Sequence, residues 1–386
     1  MTRSLLLIAL TASVAVADTE TVVRPIPVVE TVPVNSDEDS ADDPAIWVHP
    51  TVAEKSIIIG TNKKAGLHVY DLAGKELQTI SLESLPNNVD VIYDFPWNGQ
   101  RVDLAVSTSR HKSAPGVRIY RIDPQSRKLV DLTTDKAIPV FGGAEPYGIC
   151  GYHSRRDGRC YVFVNHKSGR IHQYQLVDNR DGTVGLQFAR LFGVVSQPEG
   201  LVADEEFGVL YAGEEDYGVW KFGAEPDAGT VGVLVAKVGE NGLTADVEGL
   251  TLYAGENGRG YLIVSSQGNN TFKVYERGGR NRFVMTIDPD AGQLGKPTDT
   301  DGIAVTNRPL GPNFPKGMFV VQDGKKHPTI PKKKTGPQNF KLYAWEDIAG
   351  SVLTIDTRWN PRPIGTTANG TPENASLAPT RNLAGR

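Results

Sequence analysis

The chain has 386 residues, of which 39% are apolar and 22% charged, proportions typical of a soluble globular protein with a substantial core. Its formal net charge of −4 excludes a general nucleic-acid-binding role, because nucleic-acid phosphates require clustered cations. The 41 glycines and 25 prolines, with many β-branched residues, favour strands and turns over helices.

The first 17 residues have the three parts of an export signal. Arg3 supplies a positive charge, residues 5–10 form a short apolar core, and residues 15–17 form a small-residue cleavage site. This core is too short for a membrane anchor, although a buried first helix is an alternative interpretation. We expect residues 1–17 to be a signal peptide, residues 18–36 to be an N-terminal extension, and the exported protein to be periplasmic or secreted, with no membrane as a partner.

A repeat of about fifty residues follows. Each unit begins with a short segment, which we call the leading run, followed by an apolar strand, a polar corner and a second strand. The second strand ends in an aromatic residue: Tyr70, Tyr120, Tyr174, Phe222, Tyr275 and Tyr343. Strand-rich repeats of this length are typical of propeller blades, and we find no helical period of 3.6 residues. Residues 37–350 are therefore predicted to be all-β, forming a six-bladed β-propeller of four-stranded antiparallel blades.

The leading runs contain a series of polar residues. The innermost strands of a propeller line its channel, so corresponding positions should form a ring, which we align as Asp43, Asp90, Tyr147, Glu199, Glu248 and Asp301. Five converging carboxylates repel each other unless cations neutralise them. Oxygen ligands without accompanying His or Cys favour calcium over zinc. Alternatively, these acids only accept hydrogen bonds from turn amides.

The polar corners differ between the two halves of the repeat array. The first three corners carry Lys63, Lys64, Arg110 and Lys167, whereas the last three carry Glu214, Glu215, Asp216, Gln267 and Asp323. Lys63, Lys167 and Glu215 each precede the closing aromatic residue by seven positions, which predicts equivalent places in space. Isolated surface lysines are usually only solvated. A basic arc that faces an acidic arc nevertheless suits a highly phosphorylated substrate bridged by divalent cations.

The two cysteines, Cys150 and Cys160, flank a turn-like stretch and are predicted to lie on the two strands of a hairpin. In an oxidising compartment we expect a disulfide bond across these strands. The spacing from Cys150 to Arg156 also fits the loop of a cysteine phosphatase, but the setting is strand-like and the loop is not rich in glycine.

The last segment, residues 351–386, is rich in Pro, Gly, Thr and Asn and has little periodicity. Such a composition does not supply the apolar surface that ordering requires. We expect it to be a flexible C-terminal tail.

Several motifs together resemble the β-propeller phytases, the alkaline calcium-dependent 3-phytase family. The resemblance runs in order from Asp37 to Ala349 and includes "DDPAIWVHP", "TNKKAGLHVYDLAGK", "NNVDVIYDFPWNG", "EPYGIC", "QPEGLVADEEFGVLYAGEED", "VEGLTLY", "SSQGNNTFKVYER" and "DTDGI". It implies a six-bladed propeller that uses several Ca²⁺ ions to hydrolyse phytate, myo-inositol hexakisphosphate. We expect a monomer with phytate as its small-molecule partner.

The resemblance also implies roles for particular residues. Those for substrate phosphate are Lys63, Lys64, Arg110, Tyr147 and Lys167, and those for calcium are Glu199, Glu215, Asp246, Glu248 and Asp301, with Asp43 and Asp90 near channel calcium. Among these, the implied catalytic residues are Arg110, Tyr147, Lys167, Glu199 and Glu215. The chain departs from the family at Ser168, where an acid is expected, at its cysteine pair, and in the loops around residues 288–302 and 325–336.

The expected mechanism is direct attack by a metal-activated water at the mouth of the channel. Glu199, Glu215 and Asp301 would position the water, while the cationic residues and Tyr147 stabilise charge on the phosphoryl oxygens. Two other functions remain open. A calcium-dependent propeller esterase or lactonase would leave the basic arc without a role, and a non-catalytic extracellular propeller would only bind a partner.

Overall fold

The computed structural model describes residues 20–36, 38–81, 84–134, 136–324 and 337–362. The predicted signal peptide, the loop at residues 325–336 and the last 24 residues, 363–386, lie outside these ranges. The described part of the chain forms six sheets, and the innermost strands contact one another in a closed ring. The predicted six-bladed β-propeller with four-stranded antiparallel blades is confirmed.

Four blades each consist of four consecutive strands, ordered from the channel outward. Blade 1 comprises β3 (Ala41–Trp47), β4 (Ile57–Asn62), β5 (Gly66–Tyr70) and β6 (Glu76–Ser81). Blade 2 comprises β7 (Val89–Trp97), β8 (Gln100–Ser109), β9 (Gly116–Asp123) and β10 (Lys128–Asp131). Blade 3 comprises β11 (Ile149–His153), β12 (Cys160–Asn165), β13 (Arg170–Asp178) and β14 (Val184–Gly193). Blade 4 comprises β15 (Pro198–Asp204), β16 (Val209–Glu214), β17 (Gly218–Gly223) and β18 (Val233–Lys237).

The N-terminal extension completes the last two blades. Blade 5 comprises β19 (Val247–Ala254), β20 (Gly260–Ser266), β21 (Thr271–Glu276) and β22 (Phe283–Ile287), with β1 (Val22–Val23) parallel to β22 as a fifth strand. Blade 6 comprises β23 (Ile303–Thr306), β24 (Met318–Asp323), β25 (Asn339–Ala344) and, antiparallel to β25, β2 (Val29–Glu30). The helices are short: Ala53–Lys55, Glu256–Gly258 and Gln267–Asn269 are 3₁₀ turns, and Trp345–Ala349 is α-helical.

The core consists of layers between neighbouring blades. In β12, Val162 and Val164 pack toward blade 2, whereas Tyr161 and Phe163 pack toward blade 4. Since successive side chains of a strand point to opposite faces, a strand buried on both faces must be apolar throughout. This explains the uninterrupted apolar runs in the second strand of each repeat.

The predicted disulfide is not formed, and the strand register explains why. Cys150 lies opposite Phe163, whereas Cys160 lies opposite His153. The two cysteines are thus displaced by three positions, about 10 Å along the strand, and point to opposite faces of the sheet. A disulfide cannot span this separation. Both thiols are free and buried, and burial raises the pKa of each well above its ordinary value.

The described part of the predicted flexible tail is packed instead. We call the channel end where the inner strands begin the upper mouth, and residues 354–362, which cross the opposite end, the strap. Asp356 holds the strap to blades 5 and 6, since its N–H donates to the Tyr253 hydroxyl at 2.9 Å and its carbonyl accepts from Asn307 Nδ2 at 2.8 Å. Trp359 lines the channel cavity, so the strap covers the lower end.

Arg362 fastens the other end of the strap to blades 1 and 2. Its guanidinium donates to the Val48 carbonyl at 2.6 Å and to the Asp103 carboxylate. It also lies 4.7 Å from the centre of the Tyr93 ring. The strap is therefore held on both sides of the channel. None of the helices in the described ranges is long and apolar enough to cross a membrane.

Replacing Arg362 with Ala should destabilise the protein, because the largely buried Asp103 carboxylate loses a charged donor. We expect a loss of about 2 kcal/mol in the free energy of unfolding, measured by chemical denaturation. The control is Arg282→Ala, which breaks an exposed ion pair with Glu276 and should have little effect. Equal denaturation midpoints for the two variants would contradict the role of Arg362.

Candidate metal and phosphate site

Six polar residues occupy one register position at the upper mouth. In every blade, regular pairing between the innermost strand and the second strand begins at one residue of the innermost strand. These residues are Pro44, Val89, Ile149, Leu201, Leu250 and Ile303. Each of the six polar residues lies two positions before the one in its own blade. We call this set the axial ring; its members are Asp42, Asn87, Tyr147, Glu199, Glu248 and Asp301. All six are buried.

Glycines allow the ring residues of neighbouring blades to approach closely. A Cβ atom at Gly148 would lie 2.0 Å from the Glu199 carbonyl oxygen, and one at Gly200 would lie 2.1 Å from the Glu248 carbonyl oxygen. Contacts this short are prohibited for any side chain. The glycine that follows Tyr147, Glu199, Glu248 and Asp301 in the sequence is therefore required by the packing of the inner strands.

The structure places Asp42 and Asn87 in the ring, where the sequence predicted Asp43 and Asp90. The Asp43 carboxylate accepts a hydrogen bond from the Val89 N–H at 3.0 Å, and that of Asp90 accepts one from the Gly151 N–H at 2.8 Å. These two acids line the channel cavity and fasten one blade to the next, which is the alternative role that the sequence left open. Burial raises the pKa of Asp90 to about 6.

Asp42 and Asn87 are identified by their position two residues before the start of regular strand pairing, and not by an acidic side chain. Asn87 is uncharged, but its Nδ2 donates to Glu199 Oε1 at 2.8 Å. It thereby orients a carboxylate of the ring.

Three glutamates form the most compact acidic group at the upper mouth. Glu199, Glu215 and Glu248 each place a carboxylate oxygen within 4.8 Å of the others. Glu199 and Glu248 belong to the axial ring, whereas Glu215 lies on the corner after β16. Glu248 Oε2 is buried and has no hydrogen-bond partner among the residues that the structure describes. Such an arrangement of oxygen atoms is suited to a hard divalent cation.

Burial and mutual repulsion act in the same direction on these acids. Burial, and then the charges of Glu199 and Asp301, raise the pKa of Glu248 well above its ordinary value. Burial also raises the pKa of Glu215 to about 7, with contributions from Glu199 and Asp246. The pKa of Asp246 is itself raised, by burial and by Asp216 and Glu199. A bound cation would remove the penalty of ionising these groups together.

Lys63 is held within the acidic side of the mouth. Its Nζ lies 3.1 Å from both Asp39 and Asp42 and 3.2 Å from Asp301. Burial alone would lower the pKa of Lys63, but Asp42 and Asp301 raise it well above its ordinary value. The charge of Lys63 is therefore already offset by carboxylates. The adjacent Lys64 pairs with Glu38 at 3.2 Å.

Lys167 lies on the open cationic side of the mouth, and Arg110 lies on the corresponding corner of blade 2. Lys167 is exposed, and its Nζ lies 4.2 Å from the centre of the Tyr147 ring. Arg110 Nε donates to the Leu85 carbonyl at 3.1 Å. Across the described ranges, neither side chain forms an ion pair with an acid. Both are thus available to an anion.

Most of the predicted site residues therefore meet at one mouth. Lys63, Tyr147, Lys167, Glu199, Glu215, Asp246, Glu248 and Asp301 surround it. Burial, followed by the charges of Glu199 and Glu248, raises the pKa of Tyr147 far above its ordinary value, so its hydroxyl stays protonated. The arrangement can hold cations on one side and an anion on the other.

Comparison with known proteins identifies related chains. A family model described as phytase matches residues 1–366. The chain is 45% identical over 346 residues to a 3-phytase of Bacillus subtilis (strain 168), covering 88% of this chain and 89% of that protein. Among solved structures, the β-propeller domain of Cps50 (Swd1) from Myceliophteria thermophila is 12% identical, with a TM-score of 0.44 over 79% of this chain and 82% of that one. A functionally unknown protein from Desulfotomaculum acetoxidans is 18% identical, with a TM-score of 0.43 over 70% and 76% of the two chains.

The raised pKa values predict how the stability of the metal-free protein depends on pH. Folded Glu215, with a pKa of about 7, retains its proton at pH values where the unfolded side chain, with a pKa of 4.5, has lost it. The folded state then binds more protons at this site, so the stability that Glu215 contributes is fully present below about pH 4.5 and is lost as the pH rises through about 7. Thermal melts in a chelator should show this decrease, and added calcium should reverse it.

Glu248→Gln should raise the melting temperature of the metal-free protein at pH 8, by about 2 °C or more, because it removes one repelling charge. The same variant should gain less from calcium than the unsubstituted protein does. The matched control is Glu54→Gln, which changes an exposed glutamate away from the ring. A lower melting temperature for Glu248→Gln than for the control would contradict the repulsion argument.

Proposed function

Because the chain belongs to the phytase family, and is thus a hydrolase of phosphoric monoesters, we propose that it hydrolyses phytate with calcium bound at the axial ring. The observation that carries this proposal is the division of the upper mouth. Three glutamates converge on one side, and Lys167 lies over the Tyr147 ring on the other. A substrate with many phosphates can contact cations held by the first side and lysine on the second.

The residues present fit calcium. The candidate ligands are carboxylates without accompanying His or Cys, and Glu248 Oε2 is a buried oxygen that lacks a partner. Glu199, Glu215 and Glu248 would hold a cation, with Asp42, Asp246 and Asp301 as further candidates. When bound, calcium supplies positive charge that offsets the repulsion between substrate phosphates and these carboxylates.

Asp43 and Asp90 remain proposed ligands of channel calcium, although some of their carboxylate lone pairs already accept hydrogen bonds. Both oxygens of Asp90 accept backbone N–H groups, from Val91 and Gly151, at 2.7 and 2.8 Å. One oxygen of Asp43 accepts from Val89. Cation binding there would have to use the remaining lone pairs of these atoms.

The side chains of the cationic side would bind and polarise the scissile phosphate. Lys167 and Arg110 would donate to its oxygens without first breaking an ion pair with any acid that the structure describes. Tyr147, which stays protonated, donates its hydroxyl to the same group. These donors act where negative charge is shared over the phosphoryl oxygens in the transition state.

The acidic side would orient the attacking water. Glu199, Glu215 and Asp301 can accept its hydrogen bonds and direct an oxygen lone pair toward phosphorus, in line with the departing inositol oxygen. In the metal-free protein, burial raises the pKa of Glu215 to about 7, so protons compete with a cation for this side below neutral pH. At limiting calcium, activity is therefore expected to increase as the pH rises through neutrality.

Replacing Lys167 with Ala should lower kcat/KM for phytate about a hundredfold, because a donor to the phosphoryl oxygens is lost. Phosphate release would be measured with calcium present, and thermal melts would establish that the variant is folded. Lys128→Ala, which removes an exposed lysine from the outer edge of blade 2, is the control and should leave activity unchanged.

The same assay separates the alternatives. Phosphate release from phytate that depends on calcium supports the proposal. If the protein hydrolyses aryl esters but releases no phosphate, it is a propeller esterase. If it does neither, it is a binding propeller. Unchanged turnover by Lys167→Ala would remove this lysine from the site.

A further inference from the structure

Two glutamines at the upper mouth donate neutral hydrogen bonds to acids of the candidate site, and neither has a role in the mechanism described above. Gln197 precedes Glu199 by two positions, and Gln267 lies on the corner after β20. We propose that both are positioning residues, which fix the carboxylates of Glu215 and Asp301 for a cation and thereby set the calcium affinity of the mouth. The inference rests on the proposed function, in which calcium binds at the axial ring.

Gln197 binds Glu215 through both its main chain and its side chain. Its carbonyl accepts the Glu215 N–H at 3.0 Å, and its Nε2 donates to Glu215 Oε1 at 2.6 Å. The two bonds together fix the backbone of Glu215 and the orientation of its carboxylate. The other carboxylate oxygen, Oε2, meets no hydrogen-bond donor in the described part of the chain. Its lone pairs are therefore available to a cation.

Gln267 makes a corresponding contact between blades 5 and 6. Its N–H donates to the Asp246 carbonyl at 3.0 Å, and its Nε2 donates to Asp301 Oδ1 at 2.5 Å. The main chain of Gln267 is thus fixed beside one candidate calcium ligand, while its side chain holds another. The glutamine therefore couples the positions of two acids that come from different blades.

The two glutamines extend a pattern to which Asn87 also belongs. Because Asn87 donates to Glu199, each of the three acids proposed to orient the attacking water receives one amide N–H. Among the residues that the structure describes, no amide side chain donates to Glu248, and its Oε2 has no partner. Three acids are thus held in fixed orientations, and the fourth contributes a buried oxygen that a cation would satisfy.

The neutrality of these donors suits an orienting role. A lysine or arginine could also orient a carboxylate, but it would cancel part of the negative charge that attracts a divalent cation. Lys63, whose Nζ lies 3.2 Å from Asp301, has this offsetting effect on its own side of the mouth. An amide N–H orients an acid and leaves its charge in place. Hydrogen bonds of this kind are expected around carboxylates that bind a metal ion.

Calcium binding, measured by isothermal titration calorimetry, tests this role independently of turnover. Gln197→Met and Gln267→Met keep the length of the side chain but remove the donor, so each should weaken calcium binding about tenfold. Gln197→Lys keeps a donor but adds a positive charge, so it should weaken calcium binding at least as much as Gln197→Met.

The matched control is Gln78→Met. Gln78 is also partly buried, and its side chain exchanges hydrogen bonds of 3.1 and 2.8 Å with the main chain of Leu129, between the outer strands of blades 1 and 2. The control should lower the melting temperature, because these bonds are lost, but should leave the calcium affinity unchanged. It therefore separates a structural role from a positioning role.

The inference is overturned if Gln197→Met and Gln267→Met bind calcium as tightly as the unsubstituted protein, or if Gln78→Met weakens binding to the same extent as they do. Unchanged affinity in Gln197→Lys would overturn the argument from neutral charge. In each case the unsubstituted protein would still bind calcium, so the proposed function would stand. If the unsubstituted protein binds no calcium, both proposals fail.

Discussion

The repulsion between carboxylates at the upper mouth is the constraint on which the site depends. Six inner strands converge on one axis, and in four of them a glycine after the ring residue packs against the neighbouring blade, which brings the ring residues close together. A buried oxygen of Glu248 has no partner in the described part of the chain, and the pKa values of Glu215 and Glu248 are raised. The fold thus carries an electrostatic cost that a divalent cation bound there would relieve. Under the proposed function, stability and cation binding are coupled at this mouth.

The cations of the mouth are not equivalent, although the sequence groups them into one arc. Lys63 lies within 3.2 Å of three carboxylates, so it partly neutralises the acidic side. Lys167 and Arg170 form no ion pairs within the described ranges, and each lies over an aromatic ring. Lys63 thus lies among the ring acids, whereas the blade 3 hairpin presents cations that have no acidic partner in the described part of the chain. Equivalent positions of this repeat protein therefore have different electrostatic surroundings.

The repeat pattern predicted the fold because each blade has the same sequence of apolar strand, corner and closing aromatic residue. It predicted Tyr147, Glu199, Glu248 and Asp301 in the ring for the same reason. Asp42 was missed because the adjacent Asp43 is the same residue type, so the sequence alone does not choose between them, and Asn87 was missed because it carries no charge. The prediction of a disulfide was also wrong because of the strand register, since the hairpin pairs Cys160 with His153. The strands β1 and β2 are two residues long, too short to show a period, and the strap is held by individual hydrogen bonds.

The central claim is that the axial ring holds calcium, and it is tested most directly by locating the ion. Crystals of the protein grown with calcium would be measured at a wavelength where calcium scatters anomalously. The account predicts an anomalous difference peak among the carboxylates of Glu199, Glu215 and Glu248, at distances of about 2.3–2.6 Å from their oxygens. A well-ordered mouth without such a peak, in crystals that contain calcium, would contradict it.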